Sequence, residues 1–171
     1  ADTIAIDAGP TAYALARALP ASFAGSVITH SVPVLRFLAE QPTRARLVAL
    51  GGELRGDRHA LVGPITEAAL AGLRARTYFL EAAAVDARGV YSDSLCEASV
   101  QRRLMDIADH VVLVGTGSAA RSSAPARIAP LDRVARMVVD APVPGGLRTA
   151  LQLAGVLVEY PSAVAASGGR V

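Results

Sequence analysis

The sequence predicts an α/β fold in which a mostly parallel sheet carries helices on both faces, because two periodicities alternate along the chain and glycines stand at several junctions between them. Strand-like apolar runs occupy residues 3–8, 27–29, 47–50, 77–80, 111–114, 137–139 and 156–159. Between them, residues 11–19, 32–40, 65–73, 95–108 and 147–154 keep apolar side chains three or four apart, as Cys96, Val100, Leu104 and Ile107 do. Runs of this kind fit a sheet buried on both faces.

The polar residues then collect at the carboxyl ends of the strands, where open α/β sheets bind ligands. The first strand runs into Asp7-Ala8-Gly9-Pro10-Thr11, with Leu15 and Leu19 one turn apart in the helix that follows. Backbone N–H groups at such a helix start point at an anion; a glycine there also serves an ordinary turn. The second strand ends in Thr29-His30-Ser31, where Ser31 suits a helix cap and Thr29 and His30 face the crevice. After the third comes Gly51-Gly52-Glu53-Leu54-Arg55, a pair of glycines that admits close backbone or ligand approach, or a hairpin turn. After the fourth come Glu81, Asp86, Asp93 and Glu97 around Gly89. Carboxylates of this density can each accept from two ligand hydroxyls, and solvated loop charges give the same pattern. Residues 115–130, rich in Ser, Gly and Ala, predict a loop or lid; residues 161–171 predict a frayed tail beyond a domain of residues 1–160.

Composition excludes several functions. A chain of 171 residues with 52% hydrophobic residues has enough apolar side chains for a full core. Residues 18–35 are uncharged but broken by Pro20, Gly25, His30 and Pro33, so they do not form a membrane helix. A single cysteine, Cys96, forms no internal disulfide and fits a reducing cytoplasm. All 17 basic residues are arginine, which removes every Schiff-base mechanism that needs a lysine. The arginines are scattered, the net charge is +2 and aromatics make up 4%, so this segment lacks the clustered basic and aromatic surface of a nucleic-acid groove. His30, His59 and His110 show no metal-ligand spacing, and neither metal nor cofactor is expected.

Taken in order, these segments resemble the C-terminal effector-sensing domain of the DeoR family of bacterial sugar-metabolism repressors, over residues 3–159. Asp7-Ala8-Gly9-Pro10-Thr11 resembles the family's Asp-Ser-Gly-Thr-Thr, Val27-Ile28-Thr29-His30-Ser31 its Val-Val-Thr-Asn-Ser, and Gly51-Gly52-Glu53-Leu54-Arg55 its Gly-Gly-x-Leu-Arg. Gly63-Pro64, Glu97-Ala98-Ser99-Val100-Gln101-Arg102 and Val139-Asp140 follow in the family's order. The resemblance implies a Rossmann-like three-layer sandwich of the ribose-5-phosphate isomerase and coenzyme A transferase type. It further implies a sugar-phosphate or related effector, a homo-oligomer (dimer or tetramer), and DNA binding only through an N-terminal winged helix-turn-helix outside this chain. The effector contacts it implies are Asp7, Gly9, Thr11, Thr29, His30, Gly52, Glu53, Asp86, Glu97, Ser118 and Arg121, with no catalytic residue.

The departures from the family pattern fall at that site. Ala8 and Pro10 replace hydroxyl residues, and Pro10 has no N–H to donate. Gly115-Thr116-Gly117-Ser118-Ala119 lacks the acid and the lysine of the family's Ala-Asp-Ser-Ser-Lys. Glu81 replaces a small residue, and two like charges about 4 Å apart repel by roughly 4 kcal/mol at an effective dielectric near 20. An altered, less charged effector is therefore expected. The alternatives are an isomerase-like enzyme and a ligand-free oligomerisation platform; the former is disfavoured because Ala82-Ala83-Ala84-Val85-Asp86 lacks the acidic run of those enzymes.

Overall fold

Ile4, Ala5 and Ile6 are consecutive and all buried, the burial expected of a central strand covered on both sides. They form β1 (Thr3–Ile6) in the computed structural model of the chain, which describes residues 2–161. In chain order there follow α1 (Pro10–Arg17), β2 (Ser26–Thr29), α2 (Val32–Glu40), β3 (Arg46–Ala49), β4 (Glu53–Arg55), β5 (Ala60–Val62) and α3 (Pro64–Ala69). Then come β6 (Ala75–Glu81), β7 (Ala84–Asp86), β8 (Gly89–Ser92), α4 (Leu95–Asp106) and β9 (Ala108–Gly115). A short 3₁₀ turn (Ala119–Arg121), β10 (Ala126–Ala129), a second 3₁₀ turn (Leu131–Arg133), β11 (Arg136–Val139), α5 (Gly145–Leu153) and β12 (Leu157–Glu159) complete the described chain.

Seven of these strands make one parallel sheet in the order β12-β11-β9-β6-β1-β2-β3. The chain builds from β1 to β2 and β3 on one side, then returns to place β6 against the other side of β1, with Ile6 level with both Thr29 and Phe79. That reversal makes the carboxyl ends of β1 and its neighbours a topological switch point, where adjacent loops diverge and leave a crevice. The sheet strands coincide with the seven apolar runs of the sequence to within a few residues, and the α/β class is as expected.

Alternation along each strand sends side chains to two separate cores. Ile4, Ile6 and Val27 pack under α1 and α2 through Ala12, Ala16, Val34 and Leu38. Ala5, Ile28, Tyr78, Leu80, Leu113 and Met137 face the other way, toward Leu70 and the α4 and α5 side chains Ala98, Leu104, Leu147 and Leu151. Among the described residues, α1 and α2 cover the β1-β2-β3 part of their face, and α1 reaches over Phe79 of β6. Over β6, β9, β11 and β12 that face is an open groove of about 500 Å³ lined by Phe79, Val112, Val138 and Leu157.

Two smaller sheets stand outside the seven-strand frame. The Gly-Gly-Glu-Leu-Arg stretch is a hairpin, β4 against β5. β7, β8 and β10 form a three-stranded antiparallel sheet. The expectation of a lid over residues 115–130 is corrected here: β10 pairs with β8, and Ala126, Ile128 and Ala129 are buried. The strand is only four residues long, so a stretch rich in Ser, Gly and Ala conceals it and only tertiary pairing supports it. The tail expected over 161–171 lies outside the described residues from 162 onward.

Ser94 ends the β8–α4 connection in extended backbone and accepts the Glu97 N–H at 3.2 Å, an N-cap that starts the longest helix. Ser94→Ala is expected to lower unfolding stability by about 1 kcal/mol, read as a lower urea midpoint. An unchanged midpoint would mean that tertiary packing alone sets the start of α4.

Candidate functional site

Asp7 leaves β1 at the switch point and is 1% exposed, so each of its oxygens needs protein donors. One oxygen accepts the Ala8 N–H and His30 Nε2, both at 2.9 Å; the other accepts the Glu81 N–H and Gln101 Nε2, both at 2.9 Å. The carboxylate thus ties together the ends of β1, β2 and β6 and the inner face of α4. All four acceptor positions are filled from within the chain, so Asp7 orients the site instead of reaching a ligand hydroxyl, which corrects the sequence expectation for it.

His30 is fully buried, with Nε2 on Asp7 and Nδ1 3.0 Å from the Leu61 carbonyl. Both partners are acceptors, so the ring donates from both nitrogens and is an imidazolium. Burial opposes that charge, but the hydrogen bond and charge of Asp7 outweigh it and hold the His30 pKa above 6.5. Thr29, also buried, turns its hydroxyl onto the Ser31 N–H, and Ser31 in turn caps α2 by accepting the Val34 N–H. Neither Thr29 nor His30 has a free polar atom for an effector.

Glu97 lies one turn into α4, 2% exposed, with Arg55 Nη1 and Arg58 Nε each 3.6 Å from one of its oxygens. These are long contacts, and Glu97 Oε1, Arg55 Nη1 and Arg58 Nε are all buried without a hydrogen-bond partner. The Tyr78 hydroxyl and Gln101 Oε1 are buried and unpartnered as well. Burial, with the Asp7 charge adding to it, pushes the Tyr78 hydroxyl well above the ordinary tyrosine range. Burial also raises the Glu97 pKa, against the pull of Arg58. Five unsatisfied polar atoms, three of them facing one another across the long Glu97–Arg55 and Glu97–Arg58 contacts, form an unusual concentration, since native interiors pair the large majority of such groups.

Arg58 lines two small cavities on either side of the Gly9-Pro10-Thr11 turn. The one bounded by Gly9, Tyr13, Ser31, Pro33 and Asp57 holds about 350 Å³. The other, about 190 Å³, is bounded by Thr11, Glu81, Ala83, Gly115, Thr116 and Ser118. Of the residues expected at the site, Gly9 lines the first cavity and Thr11 and Ser118 line the second, while Glu97 lines neither and is tied to them through Arg58. Gly52 and Glu53 also line neither. Gly52 adopts φ 144°, a conformation that favours glycine, where Thr66 packs close and donates to the Gly51 carbonyl at 2.6 Å. Glu53 is exposed on β4. Asp86 serves the β7–β8 turn by binding Arg88 and the Gly89 N–H. The backbone of Arg121 is in the first 3₁₀ turn; its side chain lies outside what the structure describes.

Sequence reading missed Tyr78, Gln101 and Arg58 as members of the site. Gln101 had a signal: it is four residues beyond Glu97 and so shares its helix face. Tyr78 reads as plain core, and Arg58 reaches the crevice only through the β4–β5 hairpin.

His30→Ala strands Asp7 without its buried cation and is expected to cost about 3–5 kcal/mol in urea unfolding. Linkage gives a second outcome. A raised His30 pKa contributes stability that is complete below pH 6.5 and lost as pH rises through the folded value. Glu81 and Glu97, also raised, act in the same sense above pH 4.5. Stability should therefore fall from pH 6.5 toward alkaline pH, and His30→Gln should flatten that fall; a flat wild-type profile would contradict a charged His30.

Comparison with known proteins identifies the family. Residues 1–141 match the family described as the DeoR C terminal sensor domain. The "Putative aga operon transcriptional repressor" of Escherichia coli O157:H7 is 27% identical over 156 residues, 91% of this chain and 58% of that protein. The "Uncharacterized HTH-type transcriptional regulator YulB" of Bacillus subtilis (strain 168) is 27% identical over 140 residues, 81% of this chain and 54% of that protein. The chain thus spans somewhat more than half the length of these curated relatives. With the parallel sheet, the crevice at its switch point and a family match over most of its length, the chain belongs to the DeoR C-terminal sensor domain family.

Proposed function

We propose that this domain senses a sugar derivative, phosphorylated or not, and passes its binding to a DNA-binding winged helix-turn-helix carried elsewhere in a cytoplasmic repressor. The observation that carries the reading is the set of buried polar atoms of Arg55, Arg58, Tyr78, Glu97 and Gln101 without a hydrogen-bond partner, among which Arg58 also lines both cavities at the switch point. Ligand hydroxyls both donate and accept, so they are suited to a group of orphan donors beside orphan acceptors. The domain works by binding, without turnover. Only a ligand that prefers one arrangement of the domain over another can shift its population and so change the affinity for DNA. Symmetric operators are read by symmetric proteins, which supports assembly as a homo-oligomer.

A thermal-shift screen against sugars, polyols and sugar phosphates tests the sensing role. A ligand at about 100 times its Kd should raise the Tm by about 5–10 °C. Arg58→Ala should remove the response while leaving the fold intact by circular dichroism. A response unchanged in Arg58→Ala would move the site elsewhere, and silence across the panel would favour a ligand-free assembly platform. Sedimentation equilibrium is expected to give a dimer or tetramer, and a monomer would remove the assembly part of the proposal.

A further inference from the structure

Helix α1 begins without a cap of its own. Its N-cap is Gly9, its first turn contains no acidic residue, and Pro10 has no N–H. The acceptor comes from β6 instead: Glu81 Oε2 accepts the Ala12 N–H at 2.7 Å, from a residue 69 positions away. A Cβ added at Gly9, whose φ is 140°, would stand 2.6 Å from the Glu81 carboxyl carbon, so glycine is required for this seating. The Glu81 carboxyl group thus fills the positive end of a helix at the mouth of the crevice, the position such a helix offers to an anion.

We propose that Glu81 is a built-in anion that excludes phosphate from this crevice and restricts the effector to uncharged polyhydroxy compounds. This rests on the reading of the crevice as the effector site. The surrounding charges support it. Asp7 is committed to His30, and Glu97 lies between Arg55 and Arg58. Arg58 also faces Glu81 across the smaller cavity. Asp57, which lines the larger cavity, takes the closest contact of Arg55 at 2.8 Å, so among the described side chains here the carboxylates Asp7, Asp57, Glu81 and Glu97 outnumber the cations His30, Arg55 and Arg58. Burial and the nearby Asp7 charge raise the Glu81 pKa, the strain expected of a carboxylate held in a crowded, half-buried position.

The test uses inorganic phosphate and sulfate, which need no knowledge of the natural effector. Titration calorimetry of the wild type is expected to show no binding of either ion. Glu81→Ala, which frees both the space and the helix terminus, should gain affinity by about tenfold or more. Glu81→Gln keeps an oxygen for the Ala12 N–H, and so the fold, while losing the charge; its gain should be intermediate. Phosphate binding to the wild type as tight as to Glu81→Ala would overturn the proposal. So would a folded Glu81→Gln and a folded Glu81→Ala that both ignore phosphate; if only Glu81→Gln folds, its result decides. Failure of the sensor reading is seen separately, as silence of the wild type toward uncharged sugars and polyols.

Discussion

One buried carboxylate holds the site together. Asp7 receives a donor from its own strand end, one from the end of β2, one from the end of β6 and one from α4. Those four elements are far apart in sequence and meet only because the parallel sheet brings its carboxyl edges into line. A carboxylate removed from water is tolerated only when its acceptor positions are filled, so the arrangement is all or nothing. The geometry of the crevice therefore depends on the sheet register, and the register in turn is pinned by the bonds to Asp7.

The crevice beside that hub is held less tightly. Arg55 and Arg58 approach Glu97 only to 3.6 Å, and both are partly open to solvent, whereas Asp7 and His30 are sealed at 2.9 Å. A rigid floor under an incompletely satisfied wall is the division of labour a binding site needs: the floor sets positions, and the wall retains capacity for a ligand. The β4–β5 hairpin delivers both arginines. Its two strands are three residues long each, and most of the turn between them is exposed.

The first helix shows how a helix terminus is satisfied from elsewhere in the fold. The strand, the turn at Gly9 and the helix are those of an anion-binding junction, yet the acceptor is supplied by the protein. The electrostatic demand of the helix terminus is met either way, so folding is indifferent to the source of the negative charge while ligand choice is not. Ala82 and Ala83 beyond Glu81 add no charge of their own, which leaves Glu81 as the acidic group facing the smaller cavity.

Hydrophobic period alone determined the seven parallel strands and the five helices, because a strand buried on both faces or a helix with one buried face leaves a local record that neighbours cannot erase. It also placed Gly9 and Thr11 at the end of the first strand, where topology then set two cavities against their turn. It did not reveal the β7-β8-β10 sheet, since β10 is a four-residue strand whose stability comes from pairing with β8 across more than 30 residues of chain. Nor could it distinguish Asp7 and His30 as internal partners from Asp7 and His30 as ligand contacts: both roles ask for the same residue types, and only the donors within reach decide between them. The same holds for Glu81, whose meaning as an internal anion appears when β6 sets its carboxylate on the first turn of α1. Local sequence carries periodicity and turn chemistry; which polar atom meets which is a property of long-range contact, and that was decided by the tertiary structure.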